Sequence, residues 1–309
     1  MRPTRKWCDI FLIGAVLSFL LVILGQSLGY LNVIAYPVID LLTKIIGSEG
    51  SAQFMYMYFI FFGIWIFFFL FCFPKRNHKI MGGLKRGSFK VAMAGLLLGF
   101  GSNALCILFA ALHKDIFLSF NKFSALPFFA FLIVVCIQSG AEEITDRAYL
   151  YQKLRRRYKN PAVAIVGNAL AFASMHLLNP GVTAVAILNI VLIGVILSLF
   201  VYYYDNLWGA ILLHTGWNFS QSIFFGLPNS GIVSEYSVFK LEAASARDSF
   251  FYSAAFGIEG SLFSIVVEVM MLIVMIMINR DKPEANDLWA EDCARLEASL
   301  FEAAEPAEN

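Results

Sequence analysis

The segment CIQSGAEEITDRAYLYQKLRRRY, residues 136–158, sets Glu142, Glu143, Asp146 and Arg147 close together, directly after the apolar run ALPFFAFLIVV. A lipid-facing helix cannot carry that set, because each charge at mid-bilayer costs roughly 2.5 kcal/mol or more. His176 in AFASMH, and His214 and Asn218 in LLHTGWNFS, also lie within apolar segments. Polar groups so placed face the interior of a helix bundle, pair with one another and mark function. Glu143 and Arg147 are four residues apart with the acid first, the favourable order for an ion pair on a helix. Glu142 projects about 100° around the helix from Glu143 and meets a different neighbour. Phe172 with His176, and His214 with Asn218, share helix faces by the same spacing.

This set of groups permits hydrolysis. Burial in a low-dielectric cavity makes a carboxylate a useful base near neutral pH. A neighbouring histidine can hold the attacking water or pass a proton to a leaving amine. A second histidine and an amide are donors suited to a developing oxyanion. Glu142, His176 and His214 could instead hold zinc at an open tetrahedral site, but HExxH, the helical spacing common in zinc proteases, is absent. Metal is the weaker option.

The elements that position these residues are membrane helices. Of the 309 residues 59% are hydrophobic and 15% charged, with 31 Phe and a mean hydropathy of +0.72. Soluble domains are nearer a quarter charged. Apolar windows give an all-α bundle of about eight transmembrane helices, at roughly 10–29, 54–73, 91–112, 126–150, 161–178, 183–203, 207–226 and 258–279. Lys and Arg collect at the N-terminus, in 74–90, in 151–160 and in the tail. The opposite loops hold only Lys44, Lys114, Lys122, Lys240 and Arg247. That bias makes both termini cytoplasmic. The basic start followed by about twenty apolar residues reads as a retained first span rather than a cleaved signal. A net charge of +1, with no basic stretch interleaved with aromatics, gives nucleic acid no footing. The five scattered cysteines read as small buried apolar residues.

Residues 1–280 are expected to form the bundle, with the motif-bearing core at about 125–226. Residues 281–309 are expected to form an acidic, solvated cytoplasmic tail with a short amphipathic helix. Asp146 is expected near a helix end, hydrated or paired with a loop arginine. Glu259 reads as structural, and His78 and His113 as loop residues. Glu268 either lines the cavity or bonds a neighbour. Arg155–Arg157 read as a positive-inside anchor.

EEITDR (142–147) fits EExxxR, FASMH (172–176) fits FxxxH and HTGWN (214–218) fits HxxxN. In that order, inside apolar segments, they resemble the CPBP family, the CAAX-protease and bacteriocin-processing (ABI) intramembrane endopeptidases related to type II CAAX prenyl endopeptidases. The resemblance covers about residues 125–220. It implies a glutamate-dependent, metal-independent multi-pass peptidase without cofactor, in a bacterial-type cell membrane. By this resemblance Glu142 activates water with His176 assisting, and His214 and Asn218 form the oxyanion site. Glu143 and Arg147 orient the site. The implied partners are the lipid bilayer and a peptide or protein-tail substrate, membrane-anchored or not.

Two other functions fit the same residues. A catalytically silent scaffold or immunity protein would share the fold, but has no need of so many costly groups. A proton-coupled transporter would use carboxylates and histidines as a relay, yet the inverted repeats common in such proteins are missing.

Overall fold

In the computed structural model, residues 7–72, 79, 84, 87–281 and 287–302 are described. His78, Arg2, Arg5, Lys6 and most of the basic 74–90 loop lie outside them. Helices α1 (Phe11–Ser27) and α2 (Asn32–Ile46) form a pair bent by 66°. Then come α3 (Glu49–Cys72), α4 (Phe89–Leu112), α5 (Ala125–Arg157), α6 (Pro161–Ser174) and α7 (Ala184–Tyr204). Helix α8 (Leu207–Phe219) runs on as a π-helical turn, Ser220–Phe224, and α9 (Leu262–Ile278) and α10 (Ala290–Glu302) follow.

By length and composition α3, α4, α5 and α7 can cross a membrane, and a fifth span is added if the bent pair counts as one. Helices α6 and α9 are apolar but short, which departs from the expected twenty-residue windows at 161–178 and 258–279. Helix α2 was not among the expected spans. Its apolar pattern is broken by Pro37, Asp40 and Lys44. The chain is also not purely helical. Strands β1 (Leu118–Phe120) and β2 (Phe239–Leu241) pair antiparallel, Ser119 opposite Lys240, and tie the loop after α4 to the loop after α8.

Short polar residues start and stop the helices. Asn160 accepts from the Ala162 amide, with Pro161 at the first turn of α6. Thr183 and Asn206 cap α7 and α8 in the same manner. Such side-chain oxygens satisfy amides that lack an intrahelical partner. Asp205, at φ 46°, ends α7, so α7 and α8 are joined by two residues and pack antiparallel.

Helices α4 and α8 cross on glycine. A Cβ at Gly99 would run into the Leu213 carbonyl, and one at Gly216 would meet the Leu96 carbonyl. Small residues spaced in this way let membrane helices approach backbone to backbone. Outside, Leu97, Leu105, Leu108, Met270, Ile273 and Met277 are exposed. Inside, Asn103, Glu143, Arg147, Asn168 and Gln221 are fully buried. An apolar exterior around a polar interior is the arrangement a bilayer requires.

The tail is not solvated throughout, contrary to expectation. Trp289 is only 4% exposed, with the Arg156 guanidinium 5.0 Å from its ring centre. Arg155 Nη2 donates to Asp287 Oδ2 at 3.2 Å, and Arg156 also pairs with the buried Asp9. The arginines at the end of α5 thus hold the N-terminal turn and the tail together. Helix α10 is amphipathic as expected, with Cys293 buried and Glu291 and Arg295 exposed.

Candidate active site

Helix α5 brings the first motif to the centre of the bundle. Glu143 and Arg147 are wholly buried and joined at 3.1 Å, the pair expected from their spacing. Arg147 Nη2 donates to the Gly194 carbonyl of α7 at 3.1 Å, and its guanidinium lies 4.6 Å from the Phe172 ring centre. Just past Glu143 the helix opens into a π-helical stretch, Ile144–Leu150. Such bulges recur at functional sites. Asn168 of α6 donates to the Asp146 carbonyl there at 2.7 Å, and Ser198 of α7 donates to Asn168 Oδ1 at 3.0 Å. Three helices are thereby fixed against one another.

Glu142 faces a cavity of about 300 Å³ that is also lined by His176, His214 and Asn218. Its Oε1 accepts from Gln138 Nε2 at 2.5 Å. Its Oε2 has no hydrogen-bond partner among the described residues and lies 3.8 Å from His214 Nε2. His214 Nδ1 is 3.0 Å from Glu143 Oε1. A carboxylate only accepts, so Nδ1 carries the proton and Nε2 is turned to the cavity.

His176 lies in the turn just after α6, not within a continuous span as the 161–178 window predicts. Its Nδ1 donates to the Phe172 carbonyl at 3.0 Å, which leaves Nε2 as an acceptor. The Phe172 ring stands edge-on to His176 at 4.8 Å and to His214 at 6.0 Å. One aromatic ring therefore packs against both histidines and the arginine. Asn218 Nδ2 donates to Gln138 Oε1 at 3.3 Å.

All four residues assigned chemistry line one cavity, and Glu143 and Arg147 sit directly behind it. Asp146 does not behave as expected. It is fully buried, and neither carboxylate oxygen has a hydrogen bond. The π stretch turns it into the bundle instead of toward a hydrated end. Glu268 is buried with both oxygens lacking hydrogen bonds and does not line the cavity.

Several lining residues lie outside the expected set, among them Gln138 and Glu259, the latter read from the sequence as structural. Gln138 is one helical turn before Glu142, a spacing that would have revealed it had amides been weighed with charges. Glu259 lines the cavity from the turn before α9, where its Oε2 accepts from the Ser230 amide at 2.9 Å. Its distance in sequence from every motif left no signal. Further polar lining comes from the carboxamides Gln26, Asn179, Asn189 and Asn229 and from Tyr58 and Ser230. Among the described residues, no group of three His, Cys, Asp or Glu side chains is placed to hold a metal ion.

The family model described as Rce1-like, type II CAAX prenyl endopeptidase, matches residues 124–220. No curated protein and no solved structure matches the chain. The matched stretch runs from the start of α5 into the end of α8, and holds Glu142, His176, His214 and Asn218 together. The stretch that supplies Glu142, His176, His214 and Asn218 to this cavity is thus similar to the type II CAAX prenyl endopeptidases.

Proposed function

We propose that the chain is an intramembrane endopeptidase that hydrolyses a peptide bond with water activated by Glu142 and without metal. Glu142 Oε2 takes a proton from a cavity water, and the resulting hydroxide adds to the scissile carbonyl carbon. The oxyanion accepts hydrogen bonds from the Asn218 amide and from Nε2–H of the His214 imidazolium. As the tetrahedral species collapses, the C–N bond breaks and the proton held by Glu142 passes, directly or through His176, to the leaving amine. Glu143, itself paired with Arg147, holds the His214 ring by its Nδ1–H with Nε2 toward the cavity. The substrate is a peptide or protein tail, reached from the membrane. The absence of HExxH supports the metal-free route.

The observation that carries this reading is Glu142 Oε2, buried, without a hydrogen-bond partner among the described residues and 3.8 Å from His214 Nε2 in a cavity shared with His176 and Asn218. The basic-residue bias supports eight spans, counting the short α6, α8 and α9, with both termini cytoplasmic in a bacterial-type membrane. Glu142→Ala and His176→Ala, each expressed in cells lacking the wild-type chain, test the reading by mass spectrometry of membrane-protein termini. Both variants should lose the same set of new termini. Termini identical in wild type and variants would refute it.

A further inference from the structure

The geometry points to Gln138 as a positioning residue that orients the Glu142 carboxylate and joins it to the Asn218 amide. Its catalytic meaning rests on the peptidase reading above, but its physical content does not. Gln138 sits on α5 one turn before Glu142 and is nearly buried. Its amide nitrogen donates to Glu142 Oε1 at 2.5 Å. Its amide oxygen accepts from Asn218 Nδ2 and from Ser139 Oγ, both at 3.3 Å. Every partner agrees with this orientation, since a flipped amide would set oxygen against carboxylate and nitrogen against nitrogen.

Three consequences follow from this chain of bonds. Gln138 takes one acceptor site of Oε1, while Oε2 has no hydrogen-bond partner among the described residues. The Asn218 amide nitrogen donates to Gln138 Oε1 at 3.3 Å and to Ser139 Oγ at 3.5 Å, so the base and this amide are held by one network. A donor held against the charged form of Glu142 stabilises that form. Glu142 also feels Glu143, Asp146 and Arg147 on its own helix, His214 on α8, His176 beside it in the cavity, Tyr58 on α3 and Glu259 across the cavity. None of these is changed by a substitution at 138, so a shift seen there reports the amide bond.

The test uses the full chain in detergent and dicyclohexylcarbodiimide, which modifies carboxyl groups in their protonated form. Labelling of Glu142 is read by peptide mass spectrometry across a pH series. Gln138→Met keeps the volume and removes both hydrogen bonds. Gln138→Leu removes the same bonds with a different apolar side chain and adds no charge. Both variants should raise Glu142 labelling at neutral pH, on the order of tenfold for the loss of a charge-assisted bond. The labelling curve should move to higher pH, while Glu143, paired with Arg147, stays unlabelled.

A merely structural glutamine would change stability but leave the curve in place. Curves that superimpose in wild type and the folded variant or variants overturn the inference. So does absence of Glu142 labelling in every protein, because Oε2 would then not face an open cavity. If Glu142→Ala leaves cellular termini unchanged while the labelling curve still moves, the peptidase reading fails and the Gln138 bond stands. If termini depend on Glu142 and the curve does not move, the reverse holds.

Discussion

Glu143 does more than its place in an ion pair would require. It accepts from both Arg147 and His214 through the same oxygen, Oε1. Its carboxylate therefore keeps a proton on Nδ1 of the ring and fixes its orientation. Glu143→Gln offers an amide that can present a donor to Nδ1, which reverses the ring's protons. Turnover should fall by about 10³–10⁴, the loss seen when a histidine is held in the wrong tautomer. The same change strands the Arg147 charge, and breaking a buried pair costs about 3–5 kcal/mol. Rates on a peptide spanning a mapped cleavage site, with thermal unfolding alongside, separate the two effects. At this scale the site was largely legible, because spacing along a helix decides which side chains meet. EExxxR and HxxxN declare their faces by themselves. Glu259 did not, since it comes from a turn outside the motif helices.

The helices position these residues by contacts that contain almost no side chain. Gly99 lets the backbone of α4 reach that of α8 at Leu213 and Trp217, on either side of His214 and next to Asn218. Gly99→Val should push α8 outward and lower activity by about 10²-fold, as expected of a 1 Å displacement of catalytic groups. Gly101→Ala, on the same helix where a Cβ meets nothing, should leave the rate unchanged. Peptide turnover by the two purified variants checks this. Helix positions followed from apolar runs, but their ends did not. Asn160, Thr183 and Asn206 are unremarkable in composition and became legible only as caps. The π stretches after Glu143 and after Phe219 have no signature in hydropathy. They arise where cross-helix bonds, such as Asn168 to the Asp146 carbonyl, outweigh regular helical bonding.

Across the whole molecule, the two ends of the described chain meet at one place. Asp9 holds Arg156 and lies near Lys153, while Asp287 and Trp289 cover Arg155 and Arg156. Composition could not foretell this, because an acidic tail reads as solvated until a basic partner is placed beside it. Trp289→Ala should lower stability by about 3 kcal/mol through lost burial. Thermal unfolding of the full chain in detergent measures it. Helix α5 is 33 residues long, or about 50 Å, well beyond the 30 Å of a hydrocarbon core. Glu142 lies midway along this helix, and the tail is clamped to its buried C-terminal end. Cutting the tail away would therefore unfasten one end of the element that carries the carboxylate.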